Sequence, residues 1–275
     1  MPELPEVQTV VDNLNKLKLV GTIITGAKIY WSRTIAEMTP ATFCKKIKGC
    51  SIQQITRRGK YIVMKLSQDL TLLIHLRMTG HLNWETRDKS RNKHEHMILE
   101  IDGGKELRFH DTRKFGRIFL TMDPQAILGK LGPEPLSDDF NRQGFQKMLQ
   151  ACKRQIKPLL LDQKFIAGLG NIYVDEGLWE ARIHPLRISR SLSIKEISAL
   201  YRAIPHVLYK GLKNMGTTLG SGAGNFYSVA GRQGRNADEL NVFRRTGQGC
   251  PYCATTIERI LVGQRSSHIC PKCQK

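Results

Sequence analysis

The sequence predicts an α+β chain: an N-terminal antiparallel β-sandwich domain, then a helical domain, then a C-terminal zinc finger hairpin. Three observations predict it. Between residues 23 and 121, short apolar runs alternate with polar turns, at 23–31, 51–56, 61–66, 70–76, 96–101, 106–110 and 117–121. Short runs at such spacing fold as a sandwich or barrel. The break Gly132-Pro133-Glu134-Pro135 ends that series, and helical periodicity follows it. Near the C-terminus, Cys250-Pro251-Tyr252-Cys253 and Cys270-Pro271-Lys272-Cys273 are separated by sixteen residues. Two such knuckles gather four thiolates tetrahedrally, which is a structural zinc site. One Zn2+ per chain, held by Cys250, Cys253, Cys270 and Cys273, is therefore expected, and the chain divides into 1–132, 133–240 and 241–275.

The first element is a helix, because Val7, Val10, Val11, Leu14 and Leu17 fall at helical spacing and Gly21 ends the pattern. Its apolar face anchors the residues just before it, Met1-Pro2-Glu3-Leu4-Pro5-Glu6. Proline and acidic residues favour a helix start, which alone would account for this stretch. The same residues also permit chemistry. Removal of Met1 leaves Pro2 with a secondary amine, which can attack an aldehyde carbon and form an iminium. An α-amino group with a pKa of ~7.7–8.0 is roughly one-tenth neutral at pH 7, against well under ~0.1% for lysine. Glu3 and Glu6 are placed to donate or accept protons.

Three turns in the β region carry more chemistry than a sandwich requires. Arg57-Arg58-Gly59-Lys60 joins two strands, and Lys60 is a candidate phosphate contact, although a solvated turn explains it equally well. His75-Leu76-Arg77-Met78-Thr79-Gly80 ends an apolar strand in a loop, which leaves Met78 outside the core pattern; His75 alone reads as a structural histidine. Asp111-Thr112-Arg113-Lys114-Phe115-Gly116 is a polar turn holding one large aromatic, either a core anchor or a wedge between bases.

Helices are expected at 138–152 and 157–162. The turn Ala167-Gly168-Leu169-Gly170-Asn171 then opens a helix at 172–181. Unpaired N–H groups at that start, with the Asn171 amide, suit a phosphate, though a purely structural turn would have the same glycines. A helix at 193–215, kinked at Pro205, precedes a stretch at 216–241 with six glycines. That is loop of a length usually kept for lids or disorder. Finally, 256–262 and 266–269 form a hairpin with Gly263-Gln264-Arg265 at its tip, and the zinc would present Arg265 at a fixed place.

Charge narrows the partner. With 43 Lys+Arg against 24 Asp+Glu the chain carries +19, which calls for a polyanion. A membrane surface is disfavoured, because no apolar run approaches ~18 residues and no helix is uniformly basic on its polar face. The start of the chain has no charged-then-apolar leader, so a cytoplasmic location with reduced thiols is expected. A zinc-finger DNA-binding or ribosome-associated protein without chemistry satisfies composition and cysteines alike. Pro2 beside Glu3 is what such a module has no reason to possess.

The motifs PELPEV at the start, RRGKY at 57–61, HLRMTG at 75–80, DTRKFG at 111–116, AGLGNIYVDE at 167–176 and the four-cysteine hairpin with Arg265 occur in one order. In these the chain closely resembles the bacterial formamidopyrimidine-DNA glycosylases of the Fpg/Nei family, along nearly its whole length. The related endonuclease VIII group usually starts Pro-Glu-Gly-Pro-Glu, so Leu4 favours the branch acting on oxidised purines. The resemblance implies a helix-two-turns-helix domain after the sandwich, and a monomer acting on double-stranded DNA that holds an oxidised base or abasic site. Pro2 would attack C1′ of the damaged nucleotide, Glu3 would serve as general acid/base with support from Glu6, and elimination would nick the strand. Lys60, His75, Asn171 and Arg265 would hold phosphates, with Lys157 nearby. Met78, Arg113 and Phe115 would fill the gap left by base flipping, and the loop from Gly216 would cover the extruded base. That loop's sequence is unusual for the family, and Thr79 stands where some members carry an acid.

Overall fold

The computed structural model describes residues 1–220, 226–229 and 231–275. It contains two compact units, Met1–Gly129 with Asn214–Ala237, and Lys130–Lys213 with Asp238–Lys275. The segment 214–237 clusters with the first unit, and the C-terminal hairpin clusters with the helices.

In the first unit, helix α1 (Leu4–Lys16) precedes eight strands and the short helix α2 (Pro40–Ile47). The strands are β1 (Ile24–Ile29), β2 (Ile52–Arg58), β3 (Tyr61–Leu66), β4 (Thr71–His75), β5 (Gly80–Thr86), β6 (Glu95–Ile101), β7 (Lys105–Asp111) and β8 (Arg117–Thr121). They form two four-stranded sheets, ordered β1-β6-β7-β5 and β2-β3-β4-β8, with every pairing antiparallel. The core lies between inward residues of both sheets, including Ile62, Met64 and Ile74 from one and Met97, Leu107 and Phe109 from the other. Phe226 and Val229 join this core, which is why 214–237 clusters here. A terminal helix, α3 (Gln125–Leu128), closes the unit before the chain leaves it.

Three of these elements, β5, α2 and the single-turn α3, are absent from the sequence-based expectation. Strand β5 has only Leu82 and Trp84 as large apolar residues, alternating with His81, Asn83 and Glu85, a pattern too polar to stand out from a loop. Helix α2 buries only Phe43 and Ile47; Pro40 at its first turn and the Thr39 hydroxyl accepting the Thr42 N–H at 3.2 Å start it.

Helix α1 packs on β2 and β3. It buries Leu4, Val7, Val10, Val11 and Leu14, whereas Leu17, expected on that face, caps the helix and is exposed. Polar contacts fix its rotation: Asn15 Nδ2 donates to the Ile55 carbonyl at 3.2 Å, and Arg57 Nε donates to Gln8 Oε1 at 3.0 Å.

The second unit contains α4 (Arg142–Gln150), α5 (Ile156–Leu161), α6 (Asn171–Glu180) and α7 (Ile194–Lys213), which runs on through Pro205. The hairpin strands β9 (Glu258–Val262) and β10 (Arg265–Ile269) complete it. Their two-residue turn has Gly263 and Gln264 at φ +54° and +63°, the left-handed pair that matches hairpin twist. No helix among the described residues is long and apolar enough to cross a membrane.

A charged cluster is buried on the face of β7 opposite the core that Leu107 and Phe109 enter. Arg108 of β7 is 2% exposed. Its guanidinium pairs with Glu106 at 2.7 Å and Glu95 at 3.2 Å and donates to the Thr86, Lys89 and Ser90 carbonyls. It therefore folds the 87–94 connection back onto the sheet. Arg108→Ala would strand two buried carboxylates and is expected to cost about 3–5 kcal/mol, measured by chemical denaturation.

Candidate active site and nucleic-acid interface

Pro2 and Glu3 are buried at the start of α1. Glu3 is the N-cap residue, and its N–H donates to Glu6 Oε2 at 2.8 Å, the back-reaching contact of a capping box. The other oxygen, Glu6 Oε1, accepts the Thr217 N–H at 2.7 Å. One carboxylate thus fixes both the terminal turn and the start of the glycine-rich segment. Gly216 permits this, since its φ is +83° and an added Cβ would lie 2.9 Å from Glu6 Cγ.

Lys60 sits in the β2–β3 turn and is 5% exposed. The β3–β4 register pairs Tyr61 with His75, their rings meeting edge-on at 4.7 Å, so the turn lies beside the end of β4. Burial, then the positive charges of Arg77 and Lys60, lower the His75 pKa to about 3. His75 Nδ1 accepts the Arg77 N–H at 3.0 Å, leaving Nε2 as the N–H of a neutral ring. Any anion it meets near neutral pH is met by a dipole and not by a cation.

Met78 lies in the β4–β5 loop, while Arg113 and Phe115 lie in the β7–β8 loop. Phe115 is 47% exposed and Met78 39% exposed, so neither is a core anchor. The Arg113 guanidinium stacks on the Phe115 ring at 4.9 Å from its centroid. Asp111, fully buried, connects the loops: its carboxylate accepts the Thr79 hydroxyl and the N–H groups of Arg113 and Gly116.

In the second unit, Asn171 opens α6 and its Nδ2 donates to the Ser266 carbonyl at 2.9 Å. Lys157 is 0% exposed, and its ammonium pairs with Asp175 at 2.6 Å and donates to Ser266 O at 2.8 Å. It thereby holds the residue next to Arg265, which is exposed at the start of β10. Asp175 also accepts the His268 N–H at 3.0 Å, so α5, α6 and β10 share one buried carboxylate.

The four cysteine sulfurs lie within 4.8 Å of one another, with Cys253–Cys270 and Cys253–Cys273 at 3.4 Å and Cys250–Cys273 at 3.9 Å. Zinc–sulfur bonds of about 2.3 Å from one centre need sulfur–sulfur edges of about 3.8 Å. The cluster fits, and Trp179 Nε1 donates to Cys250 Sγ at 3.4 Å as an outer contact. It is a structural zinc site.

Comparison with known proteins supplies the family. The profile of the formamidopyrimidine-DNA glycosylase N-terminal domain matches residues 1–118, that of its H2TH domain matches 131–227, and a zinc finger found in FPG and IleRS matches 247–275. A formamidopyrimidine-DNA glycosylase of Protochlamydia amoebophila is 48% identical over 275 residues, 100% of both chains. The chain belongs to the formamidopyrimidine-DNA glycosylase family. Another such glycosylase, from Herpetosiphon aurantiacus, is 44% identical over 277 residues with full coverage of both. Among solved structures, a Lactococcus lactis FPG variant in complex with Fapy-dG-containing DNA superposes with a TM-score of 0.92 at 37% identity, covering 100% of each chain. The wild-type L. lactis protein with DNA containing an oxidised pyrimidine gives 0.91 at 37% identity, again with full coverage.

Membership of this glycosylase family sets aside the reading of a binding module without chemistry. Sequence reasoning did not single out Asp111, Asp175 or Thr217. The two aspartates stand inside motifs the sequence displays, but nothing local marks a carboxylate that bonds to distant donors. Thr217 acts through its backbone N–H, for which no side-chain signal exists.

Two outcomes are expected. His75 and His110 are held neutral below the ordinary 6.5, at about 3 and about 4, in each case chiefly by burial and then by neighbouring charges. Between those values and 6.5 the unfolded chain binds more protons, so their contribution is complete above about 6.5 and is lost as pH falls through the folded values. Melting temperature should fall with acidification over that window, and His110→Gln should flatten the slope. Chelation should release the zinc and open the amides of β9 and β10 to hydrogen exchange, while those of β2 to β4 stay protected.

Proposed function

We propose that this chain is a bifunctional DNA glycosylase and abasic-site lyase that removes oxidised purines, 8-oxoguanine and formamidopyrimidines, from double-stranded DNA. The observation that carries the reading is Pro2-Glu3 buried at the start of an anchored helix, with Glu6 fixing the turn. After Met1 is removed, the Pro2 nitrogen lone pair attacks C1′ and the C1′–N9 electron pair leaves with the base. Glu3 exchanges protons with the sugar as the ring opens, and the product is an iminium between Pro2 and C1′. The iminium is an electron sink: loss of a C2′ proton expels the 3′ phosphate, and a second elimination expels the 5′ phosphate.

Lys60, Asn171 and Arg265 hold phosphates around the extruded nucleotide, Lys60 and Arg265 as cations and Asn171 as an amide donor; His75 assists as a neutral N–H donor. Met78, Arg113 and Phe115 occupy the vacated stack, with Arg113 facing the orphaned base. An exposed Phe stacked under Arg suits that task. The loop at 216–241 covers the base; residues 221–225 and 230 of it lie outside the described residues. Zinc takes no part in bond breaking, because four thiolates fill its tetrahedron. The net charge of +19 supports a DNA partner. Similar L. lactis structures with Fapy-dG and abasic-site DNA support the formamidopyrimidine and abasic-site parts of this reading. We place the protein, as a monomer, on chromosomal DNA in a bacterial cytoplasm.

Borohydride added during turnover should trap a covalent protein–DNA adduct, and peptide mapping should find it on Pro2; an adduct on a lysine with Pro2 unmodified would refute the mechanism. Glu3→Gln should bind lesion DNA but release base roughly 10²–10⁴-fold more slowly, measured by single-turnover excision on duplexes holding 8-oxoguanine, a formamidopyrimidine or an oxidised pyrimidine.

A further inference from the structure

The β4–β5 and β7–β8 loops leave different sheets but meet at one buried group. The β5–β7 register sets Gly80 opposite Asp111, so the roots of the two loops are adjacent. Asp111 is 0% exposed, and its backbone is pinned on the β6 side: its N–H donates to the His94 carbonyl at 2.9 Å, and its carbonyl accepts His96 Nε2–H at 2.8 Å. The carboxylate is thereby aimed into the loops. Oδ1 accepts the Thr79 hydroxyl, and the Arg113 N–H at 3.2 Å; Oδ2 accepts the Gly116 N–H at 2.7 Å. Thr79 Oγ shares the Arg113 N–H, also at 3.2 Å.

These donors are neutral, and all belong to the two loops. Burying a carboxylate is costly unless its lone pairs are filled, and a turn by itself could be closed by asparagine at lower cost. The charge is needed because only a carboxylate presents two acceptor oxygens. An amide in the same place would turn its NH2 group toward the Gly116 N–H or toward the Thr79 and Arg113 donors. One loop or the other would then be released.

We propose that Asp111 and Thr79 are positioning residues that lock Met78, Arg113 and Phe115 into a single preorganised wedge, so that filling the stack after base extrusion requires no loop ordering. The inference rests on the glycosylase reading above and adds to it where the wedge gets its rigidity. Because the Arg113 backbone is held by both residues, the lock also fixes the group that faces the opposite base. The step most dependent on the lock is extrusion of a stacked, paired base. Strand cutting at an existing abasic site, where no base remains to be extruded, depends on it least.

The test compares two substrates of the same sequence, a duplex with 8-oxoguanine and a duplex with a preformed abasic site, under single-turnover conditions. Thr79→Val removes only the hydroxyl, and Asp111→Asn keeps the volume but not the second acceptor. Both should slow base release by roughly 10–100-fold, as expected for a misplaced supporting group, while abasic-site cutting stays near wild type. Thr79→Ser should restore base release on the 8-oxoguanine duplex. Equal loss on the two substrates, or no loss on either with Thr79→Val, would overturn the lock while leaving the glycosylase reading intact. A wild-type protein that releases no base and cuts no abasic site would overturn that reading, and the lock with it.

Discussion

The Glu6 carboxylate accepts backbone N–H groups from Glu3, three residues back, and from Thr217, 211 residues further along the chain. Much of the proposed chemistry depends on that pair of bonds. A nucleophile at a chain end has every reason to fray, and a helix start provides four unpaired N–H groups but no fixed orientation. Glu6 turns the helix start into a defined corner and connects it with the glycine-rich segment. The apolar face of α1 supplies the anchoring energy, and the carboxylate supplies the geometry.

The same device recurs under other functional segments. Asp111 bonds to both the β4–β5 and β7–β8 loops, and Asp175 joins α5, α6 and β10 through Lys157 and His268. Glu176 accepts the N–H groups of Asn241, Val242 and Phe243, holding the chain where it turns toward the zinc finger. A buried carboxylate is costly unless nearly all its lone pairs are filled. Each therefore imposes a stringent geometry on whatever donates to it.

Cations divide into two kinds on the same basis. Arg113 and Arg265 are exposed and able to meet an anion, whereas Lys157 and Arg108 are inside and committed to acidic partners. Residue type does not separate them, because a lysine beside a motif has the same side chain whether it points out or in. His75 is a third kind, a ring kept neutral by burial and by its cationic neighbours, so that its N–H is a directional donor.

The sequence by itself determined much of this protein. Apolar spacing gave α1, the alternating runs gave seven of the eight strands among the described residues of the first unit, and the two knuckles gave the zinc ligands, because each signal is local and periodic. The motifs around Pro2, Lys60, His75, Met78, Phe115, Asn171 and Arg265 could be read for the same reason: a few neighbouring residues carry them. Tertiary structure decided the rest. Strand β5 exists because β7 offers it a partner, since its own pattern is too polar to declare a strand. Residues 214–237 join the first unit because Phe226 and Val229 find its core. Lys157 is buried because Asp175 and Ser266 meet it there. Glu6, Asp111 and Asp175 acquire their roles from donors as far as 211 residues away. A hydrogen bond between a side chain and a remote backbone N–H leaves no mark on the sequence of the donor.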